Sequence, residues 1–299
     1  NMKIYVITLK NSKRDLTIKR LKKLKLKFEI IYGIDGNKLS KKRLLKIADS
    51  KKIELNIGRK LSLPEIGTSA SHLLIYKKIV NQNIKQAIIL EDDVYLSNTF
   101  SKWIKNNIKV KDNEIISFHA SPSGLIYKKN KKEILFGNDS VNIHKSKTHL
   151  YSCAAYQINF KTCLKILKIT NHKVIGIPDW PFFTKEHKIK INLTLPFMSL
   201  IIDKGQSMLS ESRVASMKPK KLNYKFLPKK LIIILKSILF ISFIPYFVSK
   251  KYRSKNYKEI FFYKGFFKIL NYLTGNYYDL NEIFFKKKFY NKDLHKEFI

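Results

Sequence analysis

Three carboxylates in a row, Glu91, Asp92 and Asp93, close the apolar run AIIL at 87–90, in a chain with 60 Lys plus Arg against 22 Asp plus Glu. In an extended chain side chains alternate with a period of two, which predicts Glu91 and Asp93 on one side of a strand end and Asp92 on the other. A two-carboxylate clamp of that kind offers hard oxygen ligands. It suits Mg²⁺ or Mn²⁺ bridged to a diphosphate, whose oxygens and waters complete the coordination shell. Like charges this close repel, so the arrangement calls for a cation or basic neighbours. The plainer alternative is a solvated acidic turn ahead of a helix.

The elements around the triplet read as alternating α/β structure. KIYVITL (3–9) and FEIIYGIDG (28–36) predict strands, separated by a helical pattern through Leu16, Ile18, Leu21 and Leu24. Ser40 is placed to open a further helix. LSLPEIGTSASHLLIYKKIV (61–80) predicts a loop as far as Gly67 and then a helix. AIIL, apolar throughout, predicts a central strand, and the carboxyl end of such a strand is where open α/β sheets bind ligands. A strand and flexible turn are also expected over 115–127, and strands over 150–158 and 191–201, with a helix over 161–169.

A chain of 299 residues with formal net charge +38 has ample length for a large core and calls for anionic partners. Nucleic acid, anionic membrane and phosphorylated substrates all answer that description. The two cysteines, Cys153 and Cys163, make neither a disulfide framework nor a CxxC zinc site. GxSxG, GxxxxGK[ST], GxGxxG and HExxH are absent, which removes local support for serine-hydrolase, P-loop, dinucleotide-binding and zincin chemistry. The opening NMKIYVITLK lacks a basic region followed by a long apolar run, and a cytoplasmic start is the expectation.

Taken in order, YVITLKNSKRDLTIKRL, LSLPEIGTSASHLLIYKKIV and AIILEDDVYLS resemble three signatures of glycosyltransferase family 25, the bacterial lipooligosaccharide galactosyltransferases and their relatives, over roughly residues 2–215. Pro64 and Thr68 stand where the family usually has Gly and Cys. The resemblance implies a GT-A type nucleotide-sugar-binding domain with a mixed, largely parallel central sheet. It also implies a UDP-sugar donor, and Mn²⁺ or Mg²⁺ on a DxD-like element formed by Glu91, Asp92 and Asp93. Glu91 and Asp93 would be the metal ligands and Asp92 a donor contact. Ile7, Thr8 and Leu9 would line the nucleotide pocket, Arg14 would lie near the diphosphate, and Glu65, Ser71 and His72 would stand beside the donor.

Inverting transfer needs a group that takes the acceptor hydroxyl's proton. Asp179, in the proline-stiffened IPDWPFF loop beside Trp180, and Glu211, in QSMLSESRV, are the two candidates. The composition shifts near residue 218, giving an expected catalytic domain over 1–218 and a basic, aromatic-rich helical region over 219–299. Within that region LIIILKSILFISFIPYFVS (231–249) is interrupted by Lys236 and Pro245 and flanked by lysines. That pattern suits lying on an anionic bilayer better than crossing it. A helical hairpin packed on the core is the other reading. The combined expectation is a metal-dependent inverting glycosyltransferase. It would move a hexose, galactose from UDP-galactose first, onto a lipid-linked lipooligosaccharide at the cytoplasmic face of the bacterial inner membrane, with no nucleic acid as partner. A nucleic-acid-binding protein and a catalytically silent GT-A scaffold are the competing readings. Salt-dependent retention of DNA or RNA would mark the first, and indifference to loss of Asp93 the second.

Overall fold

The computed structural model describes residues 2–57, 59–119, 127–128, 133–137, 139–146, 152–176, 183 and 187–201. Asp179, Trp180, Glu211, the expected boundary at 218 and the segment 219–299 lie outside the described residues.

The chain begins with strand β1 (Lys3–Thr8), helix α1 (Leu16–Lys23) and strand β2 (Glu29–Tyr32). A short 3-10 turn (Gly36–Lys38) and helices α2 (Lys41–Ile47) and α3 (Ser50–Ile57) lead to the long α4 (Leu63–Asn81). Then follow β3 (Gln86–Glu91), β4 (Val94–Leu96), α5 (Asn98–Lys105), β5 (Glu114–Ser117), β6 (Tyr127–Lys128), β7 (Glu133–Phe136) and β8 (Asp139–Ser146). The described elements end with β9 (Ala155–Asn159), α6 (Phe160–Thr170), β10 (Lys190–Leu195) and β11 (Ser199–Ile201).

Among the described residues, nine strands form one mixed sheet in the order β2-β1-β3-β9-β5-β10-β8-β6, with β7 also paired to β8. β8 and β9 run against the other seven strands, so the sheet is largely parallel in direction. β4 and β11 form a separate antiparallel pair. Period-two alternation divides the core in two. Tyr5, Ile7, Ala87 and Ile89 pack with Ile75, Tyr76 and Ile79 of α4 and Ile166 and Leu167 of α6. Ile4, Val6, Ile88 and Leu90 pack with Leu21 of α1 and Phe100 and Trp103 of α5. β3 is therefore covered on both faces, which is why its sequence is continuously apolar. Among the described residues, no helix is long and apolar enough to cross a membrane.

Helix α4 starts four residues before Gly67, where the sequence pattern predicted loop. Ser62 caps it, accepting from the Glu65 amide at 3.4 Å, while the Glu65 carboxylate accepts from the Ser62 amide at 2.9 Å. Pro64 is accommodated in the first turn, where its missing N–H costs nothing. Gly67 lies inside the helix because the segment after β2 crosses it: a Cβ there would stand 2.5 Å from the Ile34 carbonyl oxygen. Glu65, fully buried, also takes both terminal nitrogens of Arg59, at 3.0 and 2.7 Å. Glu65→Ala strips the cap and leaves Arg59 without its carboxylate, so a loss of about 3–5 kcal/mol in chemical denaturation is expected. A loss below about 1 kcal/mol would show that the pair contributes little.

Candidate functional site

The carboxyl ends of β1, β2 and β3 lie side by side, because these three strands are parallel and adjacent. A cavity of about 700 Å³ opens there, within the size range of small-molecule sites. The segment after β1 contributes Leu9 and Lys10 through Arg14. The segment after β2 contributes Gly33 to Gly36 and Lys38, α4 contributes Pro64, Thr68 and Ser71, and β3 delivers Glu91, Asp92 and Asp93. Lys10, Lys13, Arg14 and Lys38 thus share one cavity with the acidic triplet, the charge pairing that an anionic ligand with a divalent cation requires.

The triplet does not keep the strand's period. β3 ends at Glu91, and Asp92 and Asp93 form a turn into β4. Thr17 of α1 holds that turn. Its hydroxyl lies 2.6 Å from the Glu91 carbonyl and 2.8 Å from that of Val94, and accepts from the Val94 amide at 2.9 Å. The Thr17 amide donates to the Asp92 carbonyl at 3.3 Å. The expected Glu91–Asp93 clamp is thereby replaced by three carboxylates with three sets of partners, since alternation applies only while the backbone stays extended.

Asp92 accepts from the Thr8 hydroxyl at 2.6 Å and from Ser12 at 3.0 Å. Burial raises its pKa, an effect that these two hydrogen bonds oppose. Asp93 pairs with Arg14 at 3.2 Å through Oδ2, while its Oδ1 is buried with no hydrogen-bond partner among the described residues. Burial first, then the charges of Glu91 and Asp92, push Asp93 up to about 7 against the pull of Arg14. Glu91 turns elsewhere: its Oε1 lies 3.4 Å from His72 Nε2 and 3.4 Å from Cys153 Sγ. Burial would raise Glu91, but the hydrogen bond and charge of His72, with Cys153 and Arg14, bring it below the ordinary value.

Of the residues expected in the cleft, Ile7, Thr8, Leu9, Arg14, Ser71, Glu91, Asp92 and Asp93 line the cavity, and Glu65 and His72 do not. Glu65 is committed to its helix cap and to Arg59. His72 is 1% exposed and faces Tyr156 and Glu91 from beneath the sheet end. Ser71 serves the wall, accepting from the Ile34 amide at 2.8 Å and donating to the Gly67 carbonyl at 2.7 Å. Ser12, Thr17 and Cys153 were not singled out for a role at the acidic turn in the sequence. Ser12, in the basic LKNSKRD stretch after β1, carried a local signal as a small hydroxyl at a strand end, whereas Thr17 and Cys153 matter only through contacts 74 and 62 residues away.

An ion that prefers oxygen fits this set. The buried Asp93 Oδ1 is an acceptor with no donor among the described residues, in a turn whose crowded negative charge a divalent cation would relieve. Asp93 and Asp92 are placed to hold it, with Glu91 already engaged by His72 and Cys153.

The chain is 28% identical over 119 residues to procollagen galactosyltransferase 2 of Homo sapiens and 27% identical over 108 residues to that of Mus musculus. Those matches cover 37% and 33% of this chain and span only 18% and 17% of the length of the two relatives. Among solved structures, A197 from STIV covers 68% of this chain at 14% identity and TM-score 0.39, with 86% of its own length matched. A glycosyltransferase involved in glycosylation of the major capsid of PBCV-1 covers 62% at 14% identity and TM-score 0.29, with 68% of its own length matched. The family model described as "Glycosyltransferase family 25 (LPS biosynthesis protein)" matches residues 1–179, which include every described residue lining the cavity, and the chain belongs to that family.

Proposed function

We propose that this chain is a metal-assisted inverting hexosyltransferase that holds a nucleotide-diphosphate sugar in the cavity at the ends of β1, β2 and β3. The observation that carries the reading is Asp93 Oδ1, without a hydrogen-bond partner among the described residues, next to Arg14 and within a cavity that also presents Lys10, Lys13 and Lys38. In this reading Asp93 and Asp92 hold Mn²⁺ or Mg²⁺. When bound there, such an ion would supply positive charge to offset what builds on the departing diphosphate. The cationic side chains hold the phosphates by charge, Arg14 with the planar fork that suits them best. Thr8 and Ser12 keep Asp92 fixed, so the turn is organised before the ligand arrives. Asp179 or Glu211 takes the proton from the acceptor hydroxyl.

UDP-galactose is the donor we favour, supported by family membership and by the names of the two mammalian relatives. The acceptor we favour is a lipid-linked lipooligosaccharide at the cytoplasmic face of the bacterial inner membrane. A net charge of +38 and the basic, aromatic segment 219–299 support a site of work at an anionic surface. The direct test is thermal unfolding with a panel of nucleotide sugars, with and without Mn²⁺. A ligand that binds only the native chain raises its stability by about 2.7 kcal/mol at a hundred times Kd. A rise that needs both UDP-galactose and Mn²⁺ is expected, and no response to any UDP-sugar would overturn the reading.

A further inference from the structure

Beneath the donor cavity lies a second cluster with different ligand chemistry: an imidazole nitrogen, a thiol and a carboxylate oxygen. His72 Nε2, Cys153 Sγ and Glu91 Oε1 all lie within 4.8 Å of one another. Two of the separations, nitrogen to oxygen and sulfur to oxygen, are 3.4 Å. As a hydrogen bond, 3.4 Å between imidazole and carboxylate is long. As an edge of a coordination tetrahedron it is ordinary, since bonds of about 2.0–2.3 Å place ligand atoms roughly 3.3–3.8 Å apart.

The groups behind the cluster agree. A metal-bound histidine generally hands its other ring nitrogen to a fixed hydrogen-bond partner, which sets the ring's tautomer and orientation. His72 Nδ1 lies 2.7 Å from the Tyr156 hydroxyl, which lies 2.6 Å from the Tyr76 hydroxyl, and all three residues are buried. With Nδ1–H donating to Tyr156 and Tyr156 donating to Tyr76, the Nε2 lone pair is directed toward Glu91 and Cys153.

From this geometry we propose that His72, Glu91 and Cys153 form a three-ligand site for a thiophilic divalent cation of the Zn²⁺ class, distinct from the oxygen-ligand position at Asp93. The Cys153 thiol loses its proton to solvent as the sulfur–metal bond forms. The thiolate and the Glu91 carboxylate then balance the ion's two charges, as a half-buried site needs. A fourth position is left for water or another small ligand, as in open zinc sites. The proposal stands apart from the glycosyl-transfer reading, because its ligands share no donor atom with the Asp93 position. The two ions are chosen by softness: sulfur and imidazole for one, carboxylate oxygen and phosphate for the other.

The test uses the full chain stripped of metal by chelation and titrated with Co²⁺. A near-ultraviolet thiolate-to-cobalt absorption band with tetrahedral visible bands, saturating at one ion per chain, is expected. Cys153→Ser removes the near-ultraviolet band. Cys163→Ala, at the buried second cysteine, keeps it, and so does Asp93→Asn, although that variant loses the response to UDP-sugar with Mn²⁺. Tyr156→Phe keeps the ring packing, removes the hydroxyl behind His72, and weakens cobalt binding by about 10–100-fold. In the unaltered chain, stoichiometric Zn²⁺ slows alkylation of Cys153 and Mg²⁺ does not, a readout that needs no variant to fold. Absence of the thiolate band, its survival in Cys153→Ser, or an alkylation rate indifferent to Zn²⁺ would each overturn the proposal.

Discussion

Asp93→Asn is expected to abolish the Mn²⁺-dependent response to nucleotide sugars while raising the melting temperature of the metal-free chain at pH 8. The same environment produces both outcomes. The Asp93 carboxyl is raised to about 7 by burial and by Glu91 and Asp92, so the fold favours its protonated form. The sign follows from linkage. A group raised above its unfolded value of 3.8 contributes stability that is complete below about pH 4 and is lost as pH climbs through about 7. At pH 8 the wild-type chain carries a buried charge that Arg14 and a backbone hydrogen bond relieve only in part, and asparagine removes the charge while keeping an acceptor for Arg14. A gain of a few kcal/mol follows, with a ceiling of about 4 set by about 1.4 kcal/mol per pKa unit between 3.8 and about 7. It would be read as a rise of several degrees, shrinking toward zero near pH 4. Mn²⁺ affinity in the wild type is expected to rise with pH through about 7, as the proton ceases to compete for Asp93. An Asp93→Asn chain that melts lower than wild type at pH 8, or that still responds to Mn²⁺ with UDP-sugar, would contradict this account.

The second large effect concerns backbone rather than charge. A Cβ added at Gly36 would lie 1.8 Å from the Leu63 carbonyl oxygen and 2.3 Å from its carbonyl carbon, both main-chain atoms at the start of α4. Neither can swing aside as a side-chain tip could. Gly36→Ala is therefore expected to cost about 3–5 kcal/mol in urea denaturation, the upper range for single substitutions. Any chain that folds would have the 33–38 wall displaced and its nucleotide-sugar response lost. The control is Gly137, where φ is +64° and nothing lies within 4 Å of an added Cβ. Asparagine tolerates that backbone region, so Gly137→Asn is expected to cost about 1 kcal/mol or less and leave ligand binding intact. Equal effects at the two glycines would show that close approach to α4 is not what Gly36 provides.

Much of this architecture was legible in the sequence. The runs KIYVITL and AIIL read as strands because apolar β-rich segments buried on both faces leave little ambiguity, and β1 and β3 are placed accordingly. Family resemblance, carried by three motifs in order, located the cavity wall through Thr8, Arg14, Ser71 and the triplet. What failed to read through was set by contacts distant in sequence. The start of α4 looked like loop because Pro64 and Gly67 usually break helices, whereas the Ser62–Glu65 cap and the crossing of the 33–38 segment account for both residues. The geometry of Glu91, Asp92 and Asp93 was misjudged because Thr17, 74 residues upstream of Glu91, bends the backbone where an isolated strand would have stayed straight. Glu65 and His72 were assigned by motif to the ligand side. Neither is among the described residues lining the cavity: Glu65 is tied to Arg59 and the helix cap, and His72 lies against Tyr156 and Glu91.

Among the described residues, those that line the cavity all fall between Ile7 and Asp93, yet the turn bearing the carboxylates rests on later chain. Glu91 N–H donates to the Ala154 carbonyl at 2.8 Å, and β4 pairs with β11. The described wall of the cavity thus comes from one uninterrupted third of the polypeptide, while Ala154 and β11, much later in the chain, brace the turn. A transplant of the first hundred residues into a related scaffold would carry the recognition surface as a unit. It would work only where the recipient rebuilds the support under Glu91, so the junction to engineer is the β3–β9 seam rather than the pocket itself.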